Sequence, residues 1–247
     1  SNLPTLNYFT SEIYHRQKQF SKAAPLYRAS GKEAIAKKME YFTNIQPYEM
    51  DKGFNEINIK FIVTDPLPIV EVIINNECKG YFIIDTGGGE LILSDDFVKK
   101  TKVDSFGIEK GSEFGGGKKA PMGHGAISSI KLGELKVENV PIITLDLNQL
   151  ELGGHKIDGI IGTVFLYQFL STIDYKNGQL ILRNKTRFNF DNILKNCSTC
   201  KIIPFVMADD HFIIAKGNVN NSDTMLFFVD TGLAGNAFTC SQSTLKK

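Results

Sequence analysis

One short pattern occurs twice and constrains the fold of this 247-residue chain more than any other feature. Each copy is a run of large apolar residues that ends in Asp-Thr-Gly, at residues 81–87 and again at residues 225–232. Such a run predicts a buried strand, and the glycine after it predicts a sharp turn. A carboxylate at the end of a buried strand is unfavourable unless it is paired or has a function. The repeat therefore predicts a duplicated unit whose carboxylates, Asp85 and Asp230, meet.

The composition allows one large domain or two smaller ones around a substantial core, because 42% of the residues are hydrophobic. The 28 Lys and Arg residues nearly balance 27 Asp and Glu residues, for a net charge of +1. This balance gives no support to a nucleic-acid partner or a membrane-surface role. No apolar stretch approaches the roughly 18 residues of a membrane-spanning helix. The chain starts at Ser1 without an initiator Met, which leaves the compartment unknown. It weakly favours an extracytoplasmic (periplasmic or secreted) bacterial protein.

The cysteines do not predict a metal site. Only Cys197 and Cys200 of the four cysteines are closely spaced. A zinc site would need two more ligands, and no second cysteine pair or histidine cluster supplies them. We therefore expect no metal and no cofactor, and either a local disulfide or free thiols.

Residues 8–42 differ from the rest of the chain in being rich in Ala, Lys, Gln and Glu. Their apolar residues recur at helical spacing, and Ser30-Gly31 interrupts the pattern. We expect a two-helix hairpin that forms an extension over residues 1–50, packed on the next domain. The pattern is similar to that of a single tetratricopeptide-type helix pair, but the period of that repeat is absent.

From about residue 54 onward, β-branched and aromatic residues dominate and predict strands, such as the apolar run at residues 69–74. Ser94 predicts the cap of a short helix, and Lys-Asn-Gly at residues 176–178 predicts a hairpin turn. Residues 183–199 are polar and predict a linker.

The glycine-dense residues 114–125 lie between strand-like segments and predict a mobile loop with His124 exposed. This loop does not bind phosphate by the Gly-x-x-x-x-Gly-Lys-Ser/Thr arrangement, because that order is absent. Further along, Ile160 and Ile161 precede Gly162 and an apolar helical segment.

Taken in this order, the two Asp-Thr-Gly strands, the glycine-rich β region, the Ile-Ile-Gly element and an Ile-Asp-x-x-x-Gly hairpin resemble the retropepsin-like and pepsin-like aspartic proteases. The likeness is greatest to bacterial proteins that carry two Asp-Thr-Gly units in one chain, and it covers roughly residues 55–247. It implies a mainly β, barrel-like fold with a first lobe at residues 54–190 and a second lobe that starts at residues 200–247. Only residues 233–247 follow Gly232. We therefore expect the second lobe to be incomplete and the chain to be part of a longer protein. Activity of this form of the chain is not assured.

The resemblance also implies a role for each motif in hydrolysing a peptide or protein substrate. Asp85 and Asp230 would share one proton and activate a water between them. The implied supporting residues are Thr86 and Thr231, which would hydrogen-bond between the turns, and Gly87 and Gly232, whose N–H groups would reach the carboxylates. Phe114, Gly115, Gly116 and Gly117 would belong to a flap over the substrate, and Ile160, Ile161 and Gly162 would support the Asp85 turn.

The sequence departs from the family pattern after each Asp-Thr-Gly. Gly88 and Leu233 stand where Ser, Thr or Ala is common, which leaves the optimum pH open, and the flap segment contains no Tyr. Two alternatives remain beside the single-chain peptidase. The first is a homodimer that pairs Asp85 from two chains, and the second is a non-catalytic peptide-binding or scaffolding protein on a protease fold.

Overall fold

The computed structural model of the protein describes residues 3–114, 118–147, 149–208, 211–235 and 238–245. The helices in these ranges are α1 (Leu3–Arg16), α2 (Phe20–Ala29), α3 (Glu33–Tyr41), α4 (Asp95–Val98), α5 (Thr163–Leu166), α6 (Arg187–Lys195) and α7 (Gln242–Leu245). The strands are β1 (Glu49–Met50), β2 (Glu56–Lys60), β3 (Ile69–Ile74), β4 (Cys78–Ile84), β5 (Leu91–Ser94), β6 (Asp104–Phe114), β7 (Lys118–Leu132), β8 (Leu135–Leu145), β9 (Glu151–Leu152), β10 (His155–Lys156), β11 (Gly159–Ile161), β12 (Leu170–Asp174), β13 (Gln179–Arg183), β14 (Phe205–Ala208), β15 (Phe212–Gly217) and β16 (Met225–Phe228). The chain is mainly β with N-terminal helices, as the sequence predicts. None of the helices in the described ranges is both long and apolar enough to cross a bilayer.

The N-terminal extension contains three helices, so the prediction of a two-helix hairpin is wrong. Lys18 adopts a left-handed conformation (φ 56°) and its N–H bonds to the carbonyl of His15, which ends α1 in a tight turn. The apolar spacing runs through this turn without interruption, so the spacing alone does not reveal it. The predicted break at Ser30 and Gly31 is present, with Gly31 also left-handed (φ 83°).

A closed barrel forms the body of the molecule. Its strands follow the order β8–β5–β11–β4–β3–β7, and β7 pairs back onto β8. Closure leaves these strands without free edges. The barrel interior is filled by buried apolar side chains from most of its strands, among them Val70, Phe82, Ile84, Leu91, Leu93, Ile130, Val137 and Ile142. Burial of this many large apolar groups is the main source of the barrel's stability.

Strand β11 is inserted between two strands that precede it in the chain. It runs parallel to β4, with Ile161 opposite Ile84, and antiparallel to β5. The Asp-Thr-Gly turn follows β4 directly, and Gly162 follows β11. The insertion therefore brings the Ile-Ile-Gly element alongside the first Asp-Thr-Gly turn.

Strands β6 and β7 form a long hairpin across much of the segment predicted as a loop. The pairing of Glu109 with Met122 and of Ser105 with Gly125 continues the ladder into the glycine-dense region. Gly125 fits because a Cβ there would lie 2.7 Å from the carbonyl oxygen of Asp104. The glycines at 123 and 125 thus allow close strand packing. Composition alone predicts a loop here because glycine is also typical of loops. Gly115, Gly116 and Gly117 lie outside the described residues.

The segment at residues 183–199 is also more ordered than a linker. Thr186 caps α6 by accepting a hydrogen bond from the N–H of Asn189 at 3.1 Å. Cys197 and Cys200 form a disulfide after this helix. The predicted hairpin turn at residues 176–178 joins β12 to β13. Strands β14, β15 and β16 then form a separate antiparallel sheet that leads into the second Asp-Thr-Gly turn.

The helical extension is fastened to the barrel through α3. Lys38 is fully buried, and its ammonium lies 2.7 Å from both carboxylate oxygens of Glu90, the residue that follows the first glycine turn. Although burial favours the neutral form of Glu90, the ammonium of Lys38 keeps the pKa of this carboxyl below its usual range. Glu109 of β6 accepts a hydrogen bond from the N–H of Ala34 in the first turn of α3 (3.0 Å).

Replacement of Lys38 by Met should lower the free energy of unfolding by about 3–5 kcal/mol, because Glu90 would stay buried without its partner. Adding Glu90→Gln removes the stranded charge, so the double variant should regain much of that loss. Urea unfolding of both variants measures this difference. Arg28→Met is the matched control, because the Arg28–Glu40 ion pair is exposed and should matter far less. A double variant no more stable than Lys38→Met would contradict the account.

Candidate active site

The two Asp-Thr-Gly turns have the same local geometry. In the first, the N–H of Gly87 donates to Oδ1 of Asp85 at 2.7 Å. In the second, the N–H of Gly232 donates to Oδ1 of Asp230 at 2.8 Å. Each turn therefore folds its own glycine back onto its own carboxylate, and a backbone donor orients the carboxylate.

The two carboxyl groups face each other between the turns. A Cβ built at Gly87 would lie 2.6 Å from Cγ of Asp230, and one built at Gly232 would lie 2.5 Å from Cγ of Asp85. Any side chain at either glycine would displace the opposite carboxyl group. Glycine is thus required at both positions by the close approach of the other turn rather than by an unusual φ.

Four hydrogen bonds interlock the turns with an approximate two-fold relation. Oγ1 of Thr86 donates to the carbonyl of Val229 (2.8 Å) and accepts from the N–H of Thr231 (3.0 Å). Reciprocally, Oγ1 of Thr231 accepts from the N–H of Thr86 (2.9 Å) and donates to the carbonyl of Ile84 (3.4 Å). Thr86 is buried, so these bonds satisfy polar groups that water cannot reach.

The environment of Asp85 favours its protonated form. Burial raises the pKa of Asp85 to about 6, the N–H of Gly87 opposes the shift, and the charge of Asp230 and a hydrogen bond with it add to the increase. Two carboxyl groups in such contact cannot both ionise readily, so protonation of Asp85 relieves the repulsion between them.

The Ile-Ile-Gly element lies directly behind the first turn. The carbonyl of Ile161 accepts from the N–H of Asp85 at 3.1 Å. The N–H and Oγ1 of Thr163 both donate to the carbonyl of Gly88, at 2.8 and 3.0 Å. Gly162 passes so close that a Cβ there would lie 2.6 Å from the same carbonyl oxygen. The first turn is therefore held by backbone and hydroxyl donors from the strand and helix that follow it.

Sequence reasoning missed Thr163, Tyr175 and Glu90. Thr163 directly follows the Ile-Ile-Gly element, which was the signal that could have identified it. Tyr175 belongs to a hairpin turn far along the chain, yet its phenol hydrogen-bonds with Thr231. Burial, followed by the charge of Asp85, raises its pKa. Nothing local marks Glu90, because its partner Lys38 lies on a distant helix.

A cleft of about 670 Å³ contains both carboxyl groups. Its apolar lining comes from two hydrophobic clusters that share Leu150 and includes Leu67, Ile83, Ile92, Ile143, Leu150 and Ile160. Its polar lining, called the polar side below, includes Glu12, His15, Tyr27, Lys32, Glu109 and His124. The predicted exposure of His124 is wrong: this side chain is only 5% exposed, because β7 carries it into the cleft rather than into a loop.

The predicted flap is only partly described. The hairpin of β6 and β7 contributes Glu109, Met122 and His124 to the cleft wall, whereas Gly115, Gly116 and Gly117 lie outside the described residues. Within the part of the chain that the structure covers, no group of three or more His, Cys, Asp or Glu side chains has an arrangement that could hold a metal ion.

Comparisons with known proteins add to this geometry. Residues 70–165 match a family model described as aspartyl protease. A search of curated proteins finds no match. Similar solved structures include a retropepsin-like aspartic protease from Rickettsia conorii, with 20% identity and a TM-score of 0.38 over 56% of this chain and 95% of that chain. Another is the retroviral protease-like domain of Ddi1 from Leishmania major, with 18% identity and a TM-score of 0.31 over 47% of this chain and 87% of that chain.

A third similar structure is the basic 7S globulin from soybean, with 10% identity and a TM-score of 0.43 over 70% of this chain and 59% of that chain. The matched segment at residues 70–165 contains the first Asp-Thr-Gly turn, the β6–β7 hairpin and the Ile-Ile-Gly element. Over this segment the chain matches the aspartyl protease model, which bears out the resemblance to aspartic proteases predicted from the sequence.

Proposed function

We propose that the protein is an aspartic endopeptidase in which Asp85 and Asp230 form the catalytic pair. The interlock of Thr86 with Thr231 carries this proposal, because it holds two carboxyl groups against each other despite their repulsion. A carboxyl pair that shares one proton, at the base of a cleft large enough for peptide side chains, is suited to acid–base chemistry.

The reaction follows from the shared proton. The charged carboxylate removes a proton from a water held between the two groups, and the oxygen of that water attacks the carbonyl carbon of the peptide. The protonated carboxyl gives its proton to the carbonyl oxygen, which produces a neutral tetrahedral diol. On cleavage of the C–N bond, one hydroxyl proton of the diol passes to the charged carboxylate. The other carboxyl gives the proton that it took from water to the leaving nitrogen, which restores the singly protonated pair. Each positioned acid or base contributes roughly 10²–10⁴-fold to the rate.

The arrangement supports a pair within one chain over a homodimer that joins two Asp85 turns. The position facing Asp85 is taken by Asp230 of the same chain, and Thr86 has its hydrogen bonds with Thr231 and Val229. A second copy of the first turn would have to displace all of these contacts. We further propose that the hairpin of β6 and β7 acts as the flap, which is consistent with its contribution of Met122 and His124 to the cleft wall.

Replacement of Asp85 by Asn in the full-length protein should lower kcat/KM for peptide cleavage by about 10²–10⁴-fold, because the pair loses its shared proton. Cleavage of a mixed peptide library, followed by mass spectrometry, measures the effect. Asp223→Asn is the control, because Asp223 is exposed and lies outside the cleft. Unchanged cleavage by the Asp85→Asn variant would exclude the assignment.

The raised pKa of Asp85 also predicts how pH acts. A pKa of about 6 in the folded state, above the ordinary value of 3.8, means that folding favours the protonated form. The stabilisation is complete below about pH 4 and is lost as the pH rises through about 6. We therefore expect kcat/KM to fall over the upper part of this range, where the pair loses its proton.

The stability of Asp85→Asn relative to the natural protein should rise over the same range, as measured by urea unfolding at pH 4, 6 and 8. A stability difference independent of pH would contradict the raised pKa.

Replacement of Thr86 by Val should lower the free energy of unfolding by about 2–4 kcal/mol, because the N–H of Thr231 and the carbonyl of Val229 lose their partner inside the structure. The same change should reduce kcat, since the two carboxyl groups would no longer be held in register. Thr86→Ser retains the hydroxyl and should keep most of both properties. Losses of equal size in the Val and Ser variants would contradict a role for the hydroxyl and its hydrogen bonds.

A further inference from the structure

The polar side of the cleft is built largely by the helical extension rather than by the barrel. Helix α1 contributes Glu12 and His15, α2 contributes Tyr27, and both helices face the cleft that contains Asp85 and Asp230. A substrate bound across the carboxyl pair would therefore contact the extension as well as the barrel.

The side chain of Glu12 is held in place by its neighbours. The hydroxyl of the fully buried Tyr27 donates to Oε1 of Glu12 at 2.6 Å, and Nδ1 of His15 lies 3.1 Å from the same hydroxyl. A short hydrogen bond to a carboxylate is among the stronger ones in proteins. It fixes Oε1 of Glu12 and leaves Oε2 for another donor.

Glu12 is the carboxylate of this polar side that lacks a positive partner. Glu90 is paired with Lys38 at 2.7 Å, and Glu109 lies 3.9 Å from Lys32. Within the described part of the chain Glu12 forms no ion pair with Lys or Arg, and its hydrogen bond comes from the neutral phenol of Tyr27. This side of the cleft therefore keeps an excess of negative charge, to which the carboxyl pair adds.

His124 gives a second and independent indication of a ligand. Its side chain is only 5% exposed and lines the same cleft, yet its Nδ1 has no hydrogen-bond partner among the described residues. Burial, together with the charge of Lys38, lowers the pKa of His124 to about 3, so its imidazole is neutral and offers one acceptor nitrogen. A buried polar atom without a partner is unfavourable until a donor reaches it.

We propose that this side of the cleft is a subsite for a basic side chain of the substrate, a lysine ammonium or an arginine guanidinium. Oε2 of Glu12 pairs with the charge, and the neutral imidazole of His124 accepts a hydrogen bond from it. Leu67, Ile92 and Leu150 of the apolar lining receive a large apolar residue. The preferred peptide thus carries a basic residue on one side of the cleaved bond and an apolar residue on the other. This inference rests on the proposed function and specifies its substrate.

Peptide libraries that vary one position at a time test the subsite with the full-length protein. We expect the natural protein to prefer Lys or Arg at one position beside the cleaved bond. Glu12→Gln retains the acceptor for Tyr27 but loses the charge, so kcat/KM for basic peptides should fall on the order of tenfold. Peptides with a neutral residue at that position should be cleaved at nearly the natural rate. Glu33→Gln is the matched control, since Glu33 is an exposed residue of α3 outside the cleft.

The charge-reversed variant Glu12→Lys sharpens the test, because its preference at the same position should change from basic to acidic residues. Two results would overturn the inference: a natural protein without a basic preference, or a loss in Glu12→Gln that is equal for basic and neutral peptides. Absence of cleavage of every peptide by the natural protein is a different result, since it would overturn the proposed peptidase function itself.

Discussion

The hydrogen bonds between the two threonine turns are the constraint on which the candidate site depends. Two carboxyl groups in contact repel each other once both are charged, and burial increases that cost. Nothing in either turn alone would keep the groups together. The bonds that Thr86 and Thr231 exchange pin one turn against the other, while each glycine N–H orients its own carboxylate. Burial raises the pKa of Asp85, and the enforced proximity of Asp230 adds to the increase.

The features that the sequence predicted well are those whose signal is local. The apolar run at residues 69–74 forms β3 with the same limits, and Ser94 caps α4 by accepting from the N–H of Phe97. The two Asp-Thr-Gly turns form as predicted because an apolar strand, a hydroxyl and a glycine specify each of them within a few residues. That the turns meet could be anticipated only from their repetition in one chain.

The features that the sequence did not predict depend on contacts between distant residues. Lys38 lies among other charged residues on a helix and has the pattern of a surface lysine, yet it is fully buried against Glu90, 52 positions along the chain. Glycine in residues 114–125 suggested a loop, whereas Gly125 allows two strands to approach closely. In each case the residue type permits either environment, and tertiary packing decides between them.

The helical extension contacts the barrel at segments that line the cleft, and not at a distance from the site. The ion pair between Lys38 and Glu90 joins α3 to the segment that follows the first Asp-Thr-Gly turn. The hydrogen bond between Ala34 and Glu109 joins the same helix to the β6–β7 hairpin, which also lines the cleft. Because one helix contacts both segments, neither can shift without disturbing the buried ion pair or the hydrogen bond to the start of α3. Removal of α3 would therefore alter the cleft even though none of its residues belongs to the carboxyl pair.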